Sequence, residues 1–181
     1  ILIMGFLTFR QIGVWKNSQT LWQNIVTHYP DSPRAWTNKG LDFYEQQKMP
    51  EAIDHLTRAL AADSLHADAR EWRGRAYMDT KEFGKALGDA LIFHKYYPQK
   101  EAARFLLARA YDANQQSEKA VALYQELIST SPKPEYYNNR GVIYFNKLQQ
   151  YENARSDFEK AIQMDPNNGS FYLNVSRCYY V

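Results

Sequence analysis

Apolar and small residues recur along the chain at helical spacing, and the arrangement itself repeats every 34 residues. Ala52, Ala86, Ala120 and Ala154 mark the period. Ala59, Phe93, Leu127 and Ala161 follow them seven residues further on, on the same helix face. A second series, Gly40, Gly74, Ala108 and Gly141, is spaced 34, 34 and 33, with Phe43, Tyr77, Tyr111 and Tyr144 three residues beyond. Pro30, Pro98, Pro132 and Pro166 share the register, and Ser64 fills the missing place. Each unit therefore predicts two antiparallel helices. The first carries a small residue where the backbones approach and an aromatic one turn on. The second carries a small residue near its start, and the prolines close the unit because they cannot continue a helix. The turn from Lys147 to Tyr151 is one residue longer, and the register recovers by Ala154. The expected layout is an apolar segment over 1–14, a half repeat with the second helix only over 15–32, full repeats over 33–66, 67–100, 101–133 and 134–168, and the first helix of a further repeat over 169–181.

Composition narrows the function. The 181 residues are 45% hydrophobic, 15% aromatic and 23% charged, which suits a folded chain. Lys plus Arg is 22 against 20 for Asp plus Glu, far from the basic excess of a phosphate-tracking protein, so nucleic acid is not an expected partner. Cys178 is alone, which leaves no intramolecular disulfide and no cysteine zinc cage. His28, His55, His66 and His94 have no pair at metal-binding spacing, and Asp63, His66 and Asp68 are turn residues before they are ligands. With no phosphate loop, nucleophile elbow or carboxylate pair, no catalytic role, cofactor or metal is expected.

The pattern resembles the tetratricopeptide repeat. Trp36, Gly40, Phe43, Ala52, Leu56, Ala59 and Asp63 carry the likeness in the first full repeat, and Gly74, Tyr77, Phe83, Ala86 and Pro98 in the second. Ala108, Tyr111, Ala120, Tyr124 and Pro132 carry it in the third, and Tyr137, Gly141, Tyr144, Ala154, Phe158, Ala161, Asp165 and Pro166 in the fourth. Arg70 and Arg104 in place of an apolar residue, and Phe93 in place of a small one, predict a looser second repeat. The resemblance implies an all-α, right-handed superhelical α-solenoid whose first helices line a concave groove. It also implies a protein-interaction scaffold that holds a peptide or protein there. Its groove positions map to Arg34, Thr37, Leu41 and Tyr44, then Glu71, Arg75 and Met78, Phe105, Arg109 and Asp112, Asn138, Val142 and Phe145, and finally Arg177 and Tyr180. Tyr44, Phe105, Phe145 and Tyr180 are expected as open aromatic anchors, with Phe105 and Arg109 outside the inter-helix core. The alternative is a solvated face that binds nothing specific. The basic and amide clamp of chaperone-tail binders is absent, since Thr37, Leu41, Glu71 and Arg75 occupy its places. Arg75, Arg109 and Arg177 form a sparser basic ladder.

From Ile1 to Phe9 the chain is apolar except at Gly5 and Thr8, and Arg10, Trp15 and Lys16 follow. This predicts the end of a membrane helix with interface anchors, or an apolar capping helix on the first repeat, or a surface for self-association. The stretch from Arg10 to Trp22 is similar to the junction in polytopic membrane glycosyltransferase-like proteins with a C-terminal tetratricopeptide domain. That likeness implies a non-catalytic domain held at a membrane and lying outside the cytoplasm, periplasmic in a bacterium; the alternative is a cytoplasmic protein. No polar capping helix follows Tyr180, so the array is expected to continue beyond Val181. Asn168 and Asn174 each open a glycosylation triplet.

Overall fold

The computed structural model describes residues 18–180, so the apolar stretch from Ile1 to Phe9 and the anchors Arg10, Trp15 and Lys16 lie outside the described residues. Among the described residues there are ten α-helices and no strand. Two compact units divide between Tyr96 and Tyr97. The first holds α1 (Ser18–His28), α2 (Pro33–Glu45), α3 (Met49–Ala62), α4 (Ala67–Asp79) and α5 (Phe83–Tyr96). The second holds α6 (Glu101–Ala113), α7 (Ser117–Thr130), α8 (Pro134–Asn146), α9 (Tyr151–Met164) and α10 (Gly169–Arg177). No described helix is long and apolar enough to cross a membrane.

Local chemistry sets the helix ends. Ser32 Oγ accepts the Ala35 N–H at 3.3 Å and Pro33 opens α2, where its missing N–H would have had no partner anyway. His66 Nδ1 accepts the Ala69 N–H at 3.3 Å to cap α4, and Asn168 Oδ1 accepts the Ser170 N–H at 3.1 Å to cap α10. Between the helices of each pair the chain turns through one left-handed residue: Gln47, Lys81, Gln115 and Gln149, with φ of 60°, 61°, 61° and 54°. The next hydrogen bonds run from the N–H groups of Lys48, Glu82, Gln116 and Gln150 to the carbonyls of Phe43, Tyr77, Tyr111 and Tyr144. The aromatic series read in the sequence thus sits where its backbone closes the turn. The turn over 147–150 is one residue longer than those over 46–48, 80–82 and 114–116.

Packing within each pair explains the small residues. A Cβ on Gly40 would lie 2.7 Å from Leu56 Cγ, and one on Gly141 would lie 2.7 Å from Phe158 Cε1. Ala52, Ala86, Ala120 and Ala154 are fully buried. Further along the same helices Leu56 and Ala59, and Phe158 and Ala161, run large then small, Ala90 and Phe93 run small then large, and Tyr124 and Leu127 are both large. Phe93 is 0% exposed because Ala90 makes room, so the expected loosening of the second repeat is corrected by a volume-conserving swap. Arg70 is buried as well. It donates to Asp89 Oδ1 at 2.9 Å and to the Ser64 carbonyl, while Arg73 donates to both oxygens of the same carboxylate at 2.8 Å. A buried guanidinium is tolerated here because its charge is paired and hydrogen-bonded.

Candidate functional site

The first helices of the pairs carry the residues expected to meet a ligand, and each unit presents its own set. In the first unit Arg34 is exposed at the start of α2. Tyr44, at the far end of α2, donates from its hydroxyl to Asp79 Oδ2 of α4 at 2.5 Å, and its ring meets the edge of Trp72 at 5.2 Å. Arg75 lies over the other part of this cluster, 4.9 Å from the Trp72 ring centre, and donates to Glu71 Oε1 at 2.6 Å. Met78 is half-buried beside them. Tyr44, Glu71 and Arg75 are therefore brought together around Trp72, a residue the sequence reading did not single out. Its signal was available: an aromatic one turn before an arginine on the same helix is a stacking pair. Thr37 departs from its expected place. It is 4% exposed and donates to the Pro33 carbonyl at 2.8 Å, so it belongs to the packing between helices.

In the second unit the expected anchors are partly taken inward. Phe105 is half-buried, with ring contacts to Tyr136 at 5.2 Å and Tyr124 at 6.2 Å. It contributes to the inter-helix core, contrary to the expectation that it stands outside. The reason is the neighbouring Tyr136, 1% exposed, whose ring gives Phe105 an apolar surface on α8. Arg109 lies 5.9 Å from the Phe105 ring centre and covers its outer side. Asp112 is half-buried, and burial pushes its carboxyl above the usual range against the opposing charge of Lys147. One of its oxygens has no hydrogen-bond partner, which marks an unsatisfied acceptor on this face.

Further along, α8 and α10 are joined by polar side chains. Asn174 donates to Asn138 Oδ1 at 2.8 Å, and Arg177 donates to Asn146 Oδ1 at 3.0 Å. The Arg177 guanidinium rests 4.7 Å from the Phe145 ring centre, and Phe145 meets Tyr151 edge-on at 5.2 Å. Val142 packs against the cluster of Ala154, Phe158 and Val175. Tyr180 is 90% exposed and is the one expected aromatic anchor that stands fully open. Tyr44, Phe105 and Phe145 are half-buried, which corrects the expectation of four open rings. Beneath this face Glu101 accepts from Tyr136 Oη at 2.6 Å and from Lys133, and these donors hold its carboxyl down at about 2. The Cys178 thiol is pushed up by burial, which disfavours a nucleophilic thiolate. Each unit thus offers stacked cations and aromatic rings, and the second adds amide groups.

Known proteins share this pattern. Family models of the tetratricopeptide repeat match residues 6–63 and 37–92, then 102–134 and 134–168. The protein O-mannosyl-transferase TMTC3 of Homo sapiens is 25% identical over 192 residues, an alignment covering 97% of this chain and 21% of that protein. The chain therefore spans about a fifth of the length of that curated relative and of its mouse counterpart. Among solved structures, MamA from Desulfovibrio magneticus RS-1 superposes with a TM-score of 0.76 at 18% identity, over 91% of this chain and 93% of that one. YrrB, described as a TPR protein with an unusual peptide-binding site, superposes with a TM-score of 0.73 at 16% identity, over 88% and 82%. These likenesses show an all-α solenoid of helix pairs.

Proposed function

The chain belongs to the tetratricopeptide repeat family, and on that premise we propose that it is a non-catalytic interaction scaffold whose first-helix faces hold an extended peptide. The observation that carries this reading is the treatment of its arginines. Arg75, Arg109 and Arg177 fall at the same place in their repeats, and each lies over an aromatic ring at 4.9, 5.9 and 4.7 Å. Stacking holds a guanidinium in one orientation, which lowers the ordering cost of gripping a carboxylate. Selection of a random-peptide library on the 181-residue chain should return related, carboxylate-bearing sequences. Their affinity should fall about tenfold with Arg177→Glu while helix content is unchanged. Selected peptides that bind Arg75→Glu, Arg109→Glu and Arg177→Glu as well as the parent chain would contradict the reading.

A second reading rests on the alignment with TMTC3, which runs over nearly the whole chain. In it the repeats form a non-catalytic part of a polytopic, glycosyltransferase-like membrane protein, outside the cytoplasm, and position a protein partner for it. The two readings are compatible, since both use the same faces.

A further inference from the structure

Two Asn-x-Ser triplets, Asn168-Gly169-Ser170 and Asn174-Val175-Ser176, occur in the sequence, and the fold treats them oppositely. Asn174 stands inside α10, half-buried, and its Nδ2 donates to Asn138 Oδ1 of α8 at 2.8 Å. Ser176 is engaged as well, since its hydroxyl donates to the Leu173 carbonyl at 2.8 Å. Asn168 lies instead in the turn between α9 and α10, with Pro166, Asn167, Gly169 and Ser170 exposed around it. Its Oδ1 accepts the Ser170 N–H at 3.1 Å. Only the oxygen of an amide can accept, so that bond fixes the side chain and leaves Nδ2 without a partner among the described residues. A Cβ on Gly169 would meet nothing within 4 Å, so the space beside the triplet is open.

We infer that Asn168 is a site of N-linked glycosylation, in preference to Asn174. The inference rests on the second reading above, which sets the repeats outside the cytoplasm, where a lipid-pyrophosphate-linked oligosaccharide serves as sugar donor to such triplets. In the transfer Asn168 Nδ2 forms a bond to C1 of the first sugar. The bond from C1 to the pyrophosphate oxygen breaks, its electron pair leaves with that oxygen, and the amide gives up one proton to the transferase. One N–H remains on Nδ2 and Oδ1 is untouched, so the cap on α10 survives the modification. The same bond at Asn174 would place a bulky polar group at the half-buried contact with Asn138.

The test sends the whole 181-residue chain into the secretory compartment of a eukaryotic cell behind a cleavable signal peptide, so that the location is supplied by the experiment. The soluble product should carry one glycan, seen as a mobility shift that a glycan-releasing amidase reverses. Asn168→Gln should abolish the shift. Ser170→Ala should abolish it too while keeping the Asn168 side chain and the backbone N–H that it accepts, and Ser170→Thr should retain it, which separates modification from any weakening of α10. Asn174→Gln should leave it unchanged. An unmodified chain would overturn the proposal, as would a glycan that survives Asn168→Gln or one shared equally with Asn174. Failure of the second reading has a different signature: the targeted chain carries the glycan and the protein in its own cell does not, which would overturn the premise about location.

Discussion

A single methyl group separates two kinds of glycine in this chain. At Gly40 and Gly141 the helices touch, and a Cβ would fall 2.7 Å from Leu56 or Phe158. Gly40→Ala or Gly141→Ala should therefore cost about 1–3 kcal/mol by overpacking. At Gly84 and Gly88 the same change meets open space, so alanine should add about 0.8–1 kcal/mol at Gly88, inside the helix, through propensity alone, and less at Gly84 in its first turn. Chemical denaturation of the four variants checks both signs. The first pair of glycines was legible in the sequence, because a residue small in every repeat implies a close approach. The swap of Ala90 with Phe93 was not, since the two positions compensate only when seen in one cross-section. Phe105 misled for a similar reason: its own helix places it outward, and Tyr136 from another helix draws it in.

One pair of positions facing across the two helices of each repeat is filled in three ways. Lys39 and His55 occupy it first, with His55 stacked 5.6 Å from Trp36 and its imidazole held below its usual pKa by burial and by Lys39. Arg73 and Asp89 follow, then the buried Leu107 and Leu123, then Arg140 and Asp157. Arg140 donates to both oxygens of Asp157 at 2.8 and 2.7 Å, and both side chains are nearly buried. Removing the carboxylate alone, as in Asp157→Leu, should cost about 3–5 kcal/mol because a buried guanidinium loses its partner. The double variant with Arg140→Leu copies the third repeat and should recover most of that loss in a thermal or denaturant melt. This ionic register was present in the sequence as Arg and Asp at a recurring offset. It was hidden because one residue is inserted between Arg140 and Asp157, and because the third repeat uses leucines.

The second unit also carries its own acid sensitivity. Glu101, held at about 2 against an ordinary 4.5, contributes stability that is complete above 4.5 and lost as pH falls through that window toward 2. Lys133 and the Tyr136 hydroxyl are the cause, so Glu101→Gln should flatten the dependence of melting temperature on pH between 2 and 4.5. An unchanged slope would show that another carboxylate governs it.

At the scale of the whole molecule the repeat explains the architecture, and the departures from it point to function. The 34-residue spacing was legible because helix-pair packing imposes small and aromatic residues at fixed offsets. The candidate faces were legible only in part. Register could place Arg75, Arg109 and Arg177 alike, but their stacking on Trp72, Phe105 and Phe145 depends on three-dimensional neighbours. The central claim is that these first-helix faces receive a peptide. Hydrogen exchange of the full chain, with and without a peptide selected on it, tests this most directly. Added protection is expected in α6, α8 and α10 or in α2 and α4, with α7 and α9 unchanged. Protection confined to α7 and α9, or no peptide-dependent change at any helix, would contradict it.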